Sequence, residues 1–185
     1  KLEEDENEIM MGFHGKWRNC LKKGMRSDMI IKTPKLNKDN LETALNIYEQ
    51  AKIEKNFRGI PNKILRSMCL INENSFKTNL FFAYANDKET LSSPIGILVS
   101  IYHGDTTTYL IAHSDINGRK FNANYVMLWK AILKAKADGC KWFDIGGLNA
   151  DTPPGIAHFK KGLNSKLYSL IGEWRMLNII PKIGK

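Results

Sequence analysis

An acid, Asp144, a glycine pair, Gly146 and Gly147, and a lysine pair, Lys160 and Lys161, fall in one stretch, CKWFDIGGLNADTPPGIAHFKKGLNSKLYSLIGEW, spanning residues 140–174. An apolar run over 140–145 reads as a strand that ends in the glycine pair. A polar loop with Pro153 and Pro154 follows, then a short basic helix over 156–161 and, after Gly162, a last strand over 167–174. A carboxylate at a strand end can accept a proton. It can equally be a structural acid that bonds the N–H groups of the glycine turn. The glycines permit a tight turn and close approach of a substrate, although a plain turn also explains them. Ligands of open sheets with parallel strands bind at the strands' carboxyl ends, so the functional centre is expected here. His113 ends an earlier strand at the mouth of the same expected cleft. An imidazole there could serve as a near-neutral base, against the commoner structural histidine. No spacing of His or Cys suits a metal, and no Ser-His-Asp or Cys-His signature points to a covalent intermediate.

Periodicity gives the scaffold around these residues. Trp17, Cys20 and Leu21 share one face of a basic helix over 14–26 that closes near Gly24. A short strand over 29–32 precedes a helix over 39–55, with Asp39 and Glu42 as a capping-box pair, and a second helix over 61–71 with Pro61 in its first turn. The period then changes to that of strands. Three of them, over 80–85, 95–102 and 106–112, form an antiparallel meander with a tight turn at His103-Gly104-Asp105. A polar loop over 113–119 leads to a helix over 121–138, whose stripe of Tyr125, Leu128, Trp129, Ile132 and Leu133 faces a core and whose end is marked by Gly139. Strand, helix and strand make a crossover, so the third and fourth strands should run parallel. Their carboxyl ends, residues 112–115 and 144–147, are expected side by side. The fold class is α+β, a mixed β-sheet flanked by helices. Residues 1–13 are expected as a flexible or helical lead-in, and residues 14–185 as a single domain.

Composition bounds the partners. With 28 Lys and Arg against 19 Asp and Glu the net charge is +9, although the opening KLEEDENE is acidic. Such a balance favours an anionic partner: nucleic acid, a phosphorylated cofactor or peripheral contact with an anionic membrane surface. Arg18, Lys22 and Arg119 are the candidates to hold phosphates, the alternative being solvated charge. No apolar run approaches the roughly 20 residues that span a bilayer, and the first segment lacks the apolar core of a signal peptide. Three cysteines, Cys20, Cys69 and Cys140, without C-x-x-C spacing predict neither a disulfide framework nor a zinc site, and place the chain in reducing cytoplasm. A start at Lys1 rather than Met is expected of a fragment, a processed product or a trimmed chain, with an upstream domain missing.

The order of elements is that of an acetyltransferase-like (GNAT) fold. WRNCLKK at 17–23, NANYVMLWKAILKAKADGCKWFDIGG at 122–147 and GIAHFKKGLNSKL at 155–167 resemble the FemAB family of peptidoglycan bridge-forming aminoacyltransferases. The resemblance covers residues 14–174 and only one of the two acyltransferase-like halves that full members carry. It implies transfer of an amino acid from aminoacyl-tRNA to an amine-bearing acceptor such as a peptidoglycan precursor, with no resident cofactor and no stable DNA binding. Lys160 matches the lysine of the family's Phe-Lys motif, which implies that it stabilises the oxyanion formed when an amine attacks an ester; Lys161 is the lesser candidate of the pair. Asp144 would then orient the acceptor amine or take its proton. Coenzyme A-binding acetyltransferases usually open the long helix with an Arg/Gln-x-x-Gly-x-Gly/Ala loop, where this chain has RKFNAN at 119–124. Asparagine only partly replaces glycine in letting backbone amides approach a pyrophosphate. Acyl-coenzyme A is therefore the alternative donor, and a non-catalytic tRNA- or anion-binding module is the alternative of a different class.

Overall fold

The computed structural model describes residues 1–57, 59–71, 73, 75–86, 93–150, 152–169 and 172. Among these, five strands form one sheet in the order β1-β2-β3-β4-β5. β1 (Met29–Lys32), β2 (Phe76–Ala85), β3 (Gly96–His103) and β4 (Thr106–Ser114) are successively antiparallel, and β5 (Trp142–Asp144) lies parallel to β4. β2 and β3 carry apolar residues without alternation because helices cover both faces. Leu80, Phe82, Ile97 and Val99 pack with Leu41 and Leu45 of α3 (Lys38–Glu54) and Leu65 of α4 (Asn62–Cys69). Phe81, Ala83 and Leu98 pack on the other side, with Trp17 and Leu21 of α2 (Gly15–Met25) and Met127 and Leu128 of α6 (Ala123–Ala137). The sheet therefore divides two cores, and a side chain's place in the period-2 alternation decides which core it joins.

Several boundaries differ from the sequence reading, each for a local reason. α3 starts one residue before Asp39, so Asp39 lies inside its first turn; the cap is Asn37, whose side chain accepts the Asn40 N–H at 2.8 Å. Pro61 is the N-cap of α4 rather than part of its first turn. The stretch expected as a loop over 113–119 instead continues β4 through Ser114 and opens α5 (Ile116–Lys120), because Asp115 accepts the Gly118 N–H at 2.7 Å and caps that helix. The lead-in contains α1 (Glu6–Gly12), capped reciprocally by Asp5 and Glu8, and Leu2 is buried, its N–H bonded to the Lys141 carbonyl at 2.8 Å. β5 is confined to three residues. Of the last expected strand, residues 167–169 are in no strand; residues 170–174, Gly172 apart, lie outside the described residues. Among the described residues no helix is long and apolar enough to cross a membrane.

Glu42, freed from capping, ties α3 to α4. Arg66 donates two hydrogen bonds to its carboxylate, at 2.6 and 2.8 Å. That hydrogen bonding holds the Glu42 carboxyl below its ordinary 4.5. A carboxyl whose folded pKa is depressed contributes stability that is present above its unfolded value and lost as pH falls through the folded value. Glu42→Gln should therefore melt below the wild type at neutral pH, and the two melting curves should converge as pH falls below the ordinary value and through the lowered one. A gap in melting temperature that stays constant throughout the acid range would contradict the assignment.

Candidate active site

The site is built from an aromatic cluster outward. Phe13, just past α1, lies edge-on to Trp17 of α2 at 4.7 Å between ring centroids and to Trp129 of α6 at 5.9 Å. Trp17 meets Tyr125 of α6 at 5.0 Å. Phe159 closes the cluster from α7 (Pro154–Lys161), at 5.0 Å from Tyr125 and 5.8 Å from Trp17. Edge-to-face packing of this kind is directional, so it fixes orientation as well as burial. The His14 N–H holds the Gly162 carbonyl at 2.8 Å and pins the far end of α7. With Phe159 turned into the cluster, the next residue, about 100° further round the helix, is Lys160, which reaches the end of β5.

There the sheet opens. Pairing of β4 with β5 runs only from Thr106 to Thr108, opposite Trp142 to Asp144. Just beyond, the register of β4 against β3 shifts, with Ser100 opposite Tyr109 and Val99 opposite Ile111, so Leu110 is an extra residue. A bulge of this kind bends its strand and re-aims side chains. Here Leu110 and Ile111 both join the α3 core, while Tyr109 stays on the α6 side.

Lys160 Nζ sits in this opening. It donates to the Gly147 carbonyl at 3.0 Å and lies 5.8 Å from the centroid of the Tyr109 ring. Half-burial pushes its ammonium pKa below the ordinary lysine value, and the nearby Asp144 charge opposes that shift. Asp144 holds the turn: its Oδ1 accepts the Gly146 N–H at 2.8 Å and its Oδ2 accepts the Tyr168 hydroxyl at 2.9 Å. The bond to Asp144 raises the Tyr168 pKa, and burial raises that of Tyr109. Asp144, Gly146, Gly147 and Lys160 are thus one constellation. Lys161 is exposed on the last turn of the same helix.

The other sequence candidates lie elsewhere. The carboxyl ends of β4 and β5 are not side by side, because β5 pairs with the beginning of β4; His113 is five positions beyond Thr108, roughly 16 Å along the strand. It also stands on the α3 side. Its Nδ1 lies 3.4 Å from Lys55 Nζ, and burial followed by the Lys55 charge lowers its pKa. A base there does not face the Asp144–Lys160 opening. Arg18 donates to the carbonyls of Met11, at 2.8 Å, and Phe13, and so closes the end of α1 rather than waiting for a phosphate. Arg119 donates to the Ser114 carbonyl at 3.0 Å. Lys22 is at the other end of α2, on a groove of 580 Å³. Tyr109 and Tyr168 were missed. Tyr168 is 24 positions from Asp144 and carries no local signal, whereas Tyr109 stood in an ordinary strand pattern. Among the described residues no three His, Cys, Asp or Glu side chains converge as metal ligands.

Comparison with known proteins gives a consistent result. The FemAB family model matches residues 72–179, more than half of the chain and all of β2–β5, α5, α6 and α7. The crystal structure of FemX superposes with a TM-score of 0.72 at 13% identity, over 88% of this chain and 56% of that one. An aminoglycoside acetyltransferase, meta-AAC0020, from an uncultured soil metagenomic sample, in complex with sisomicin, gives 0.56 at 14% identity, over 81% of this chain and 97% of that one. AAC(6')-Iy in complex with the bisubstrate analog CoA-S-monomethyl-acetylneamine gives 0.54 at 15% identity, over 82% and 99%. At these identities the structural likeness establishes the GNAT-type acyltransferase fold. The chain spans little more than half the length of FemX. No curated protein matches the sequence.

The two glycines of the turn should respond differently to a methyl group. Gly146 has φ +72°, and a Cβ there would lie 3.3 Å from Lys160 Nζ; Gly147 has open space. Gly146→Ala should cost about 1 kcal/mol or more in urea unfolding, and Gly147→Ala about 0.5 kcal/mol or less. Equal costs would contradict this geometry.

Proposed function

The chain belongs to the FemAB family, and from that premise we propose that it is an acyltransferase that moves an aminoacyl group from aminoacyl-tRNA to an amine acceptor such as a peptidoglycan precursor. The observation that carries the reading is Lys160, half-buried at the opening between β4 and β5 and aimed there by Phe159. The acceptor amine attacks the ester carbonyl, a C–N bond forms, and the carbonyl oxygen gains negative charge. The Lys160 ammonium stabilises that oxyanion, in a setting where low solvent exposure strengthens the interaction. Asp144 orients the amine through the oxygen it shares with Tyr168, and takes the proton that the amine loses. The C–O bond then breaks, and the tRNA ribose oxygen leaves with the proton that Asp144 took from the amine and now returns. Side chains and the donor ester supply all of this chemistry without a resident cofactor, and positioning contributes much of the rate.

Acyl-coenzyme A is the second donor to consider, on one observation. Asn122, where the coenzyme loop would carry glycine, has φ +57°, so the backbone adopts the left-handed conformation that glycine would provide. Excess acyl-coenzyme A in the assay separates the two donors.

The test is transfer of a labelled amino acid from bulk charged tRNA to an amine-bearing peptidoglycan precursor. Lys160→Met should lower kcat by about 100-fold or more while tRNA binding persists, and Asp144→Asn by about tenfold or more. Retention of wild-type rates by Lys160→Met would overturn the assignment. Loss of the Lys160 proton removes the stabilising charge, so the rate should fall on an alkaline limb centred below the ordinary lysine pKa of 10.5. Because burial penalises the charged amine in the folded state, Lys160→Met should melt no lower than the wild type at neutral pH.

A further inference from the structure

We propose that the groove between the C-terminal half of α2 and the α5–α6 junction is a track for the phosphodiester backbone of RNA. The proposal rests on the aminoacyl-tRNA reading and gives that donor a docking surface. Lys22, Lys23 and Arg26 line the groove from α2, and Lys120 lines it from the end of α5. Its remaining lining is polar or aromatic, with Phe121 among the cations and no acidic residue. Among the described residues none of the four cations takes part in an ion pair; those pairs involve Lys1, Lys52, Arg66, Lys134 and Lys141. Arg18, one turn earlier on α2, is by contrast spent on main-chain carbonyls. Four unopposed cations around 580 Å³ make a strongly positive trough with room for more than one phosphate. Lys22 and Arg26 lie one helical turn apart, so the charge is strung along α2 rather than gathered at a point. Cations interleaved with an aromatic face are what single-stranded nucleic acid engages.

The position suits the chemistry. α2 packs against α6 so closely at this end that a Cβ on Gly24 would lie 2.6 Å from Val126 Cγ2 and 3.0 Å from the Phe121 carbonyl oxygen. The groove thus sits where α6 begins, beyond the carboxyl end of β4. The same helix carries Trp17, against which Phe159 packs, and Arg26 is only about 14 Å along the axis from Trp17. An RNA seated in the groove can run its 3′ end on toward Lys160. Lys22, Lys23 and Arg26 lie outside the span of residues 72–179 that matches the family.

The experiment is filter binding of bulk tRNA, charged and uncharged, across a salt series. Lys22→Ala/Arg26→Ala is compared with Lys63→Ala/Lys130→Ala, which removes the same charge from exposed positions off the groove. The groove variant should bind about tenfold or more weakly near 0.1 M salt, and the slope of log affinity against log salt should fall in magnitude by about 1.5 to 2. The control should behave as wild type. Groove and control variants that match, or a wild type that binds no tRNA at low salt, would overturn the proposal. So would displacement of the RNA by excess acyl-coenzyme A, which would assign the groove to the coenzyme's phosphates. Failure of the donor reading looks different: the groove variant would still lose its salt slope, but charged and uncharged tRNA would bind alike and no aminoacyl group would be transferred. Transfer from charged tRNA with an unchanged KM in the groove variant would sink the groove and leave the donor reading standing.

Discussion

Phe159 can enter its aromatic cluster only if α7 lies across the seam between α2 and α6, and that constraint decides where Lys160 points. α7 has no fully buried residue and is only 8 residues long, about two turns, so its own propensity would hold it weakly. What fixes it is the edge-to-face contact of Phe159 with Tyr125 and its tilted contact with Trp17, together with the main-chain bond between His14 and Gly162. The neighbouring lysine is then carried into a half-buried position that an ammonium group would not choose on solvation grounds. The energy of aromatic packing is set against the cost of taking charge out of water. An arrangement of that kind, in which a stable core holds an unfavourable side chain in place, is the pattern expected of a working site.

The second constraint is the mismatch between β4 and β5. A β5 that paired along the whole of β4 would fill the opening with ladder hydrogen bonds. Instead, pairing ends at Asp144, the chain turns at Gly146 with positive φ, and the Leu110 bulge bends β4 just past the last pair. The Gly147 carbonyl and Asp144 are left beside Lys160. Asp144 therefore serves the turn with one oxygen and keeps the other toward Tyr168. The bond to the turn uses one oxygen only, so it leaves the other for the role proposed for this acid.

Much of this was legible in the sequence because it is local. Hydrophobic period set the helices, the meander and the crossover, and the WFDIGG and HFKK segments marked the constellation of Asp144, Gly146, Gly147 and Lys160. What the sequence hid was register and distance. The position of β5 along β4 depends on how α6 packs, which no strand pattern encodes, and so sequence order alone does not separate His113 from Asp144 as the fold does. Arg18 looked like a phosphate ligand because its use by the Met11 and Phe13 carbonyls depends on α1 docking first. Glu42 resembled a capping residue until Asn37 took the cap and Arg66 took Glu42. Tyr168 needed the fold to bring it to Asp144.

If the Phe159 contact sets the environment of Lys160, truncating that ring must change how the lysine titrates. The direct measurement is the Lys160 pKa by NMR of isotopically labelled lysine, in the wild type and in Phe159→Ala. The wild-type value should lie below the ordinary lysine range and return toward it when Phe159 is truncated and Lys160 gains solvent. An ordinary lysine value in both proteins, or a lowered value that ignores the loss of Phe159, would contradict it.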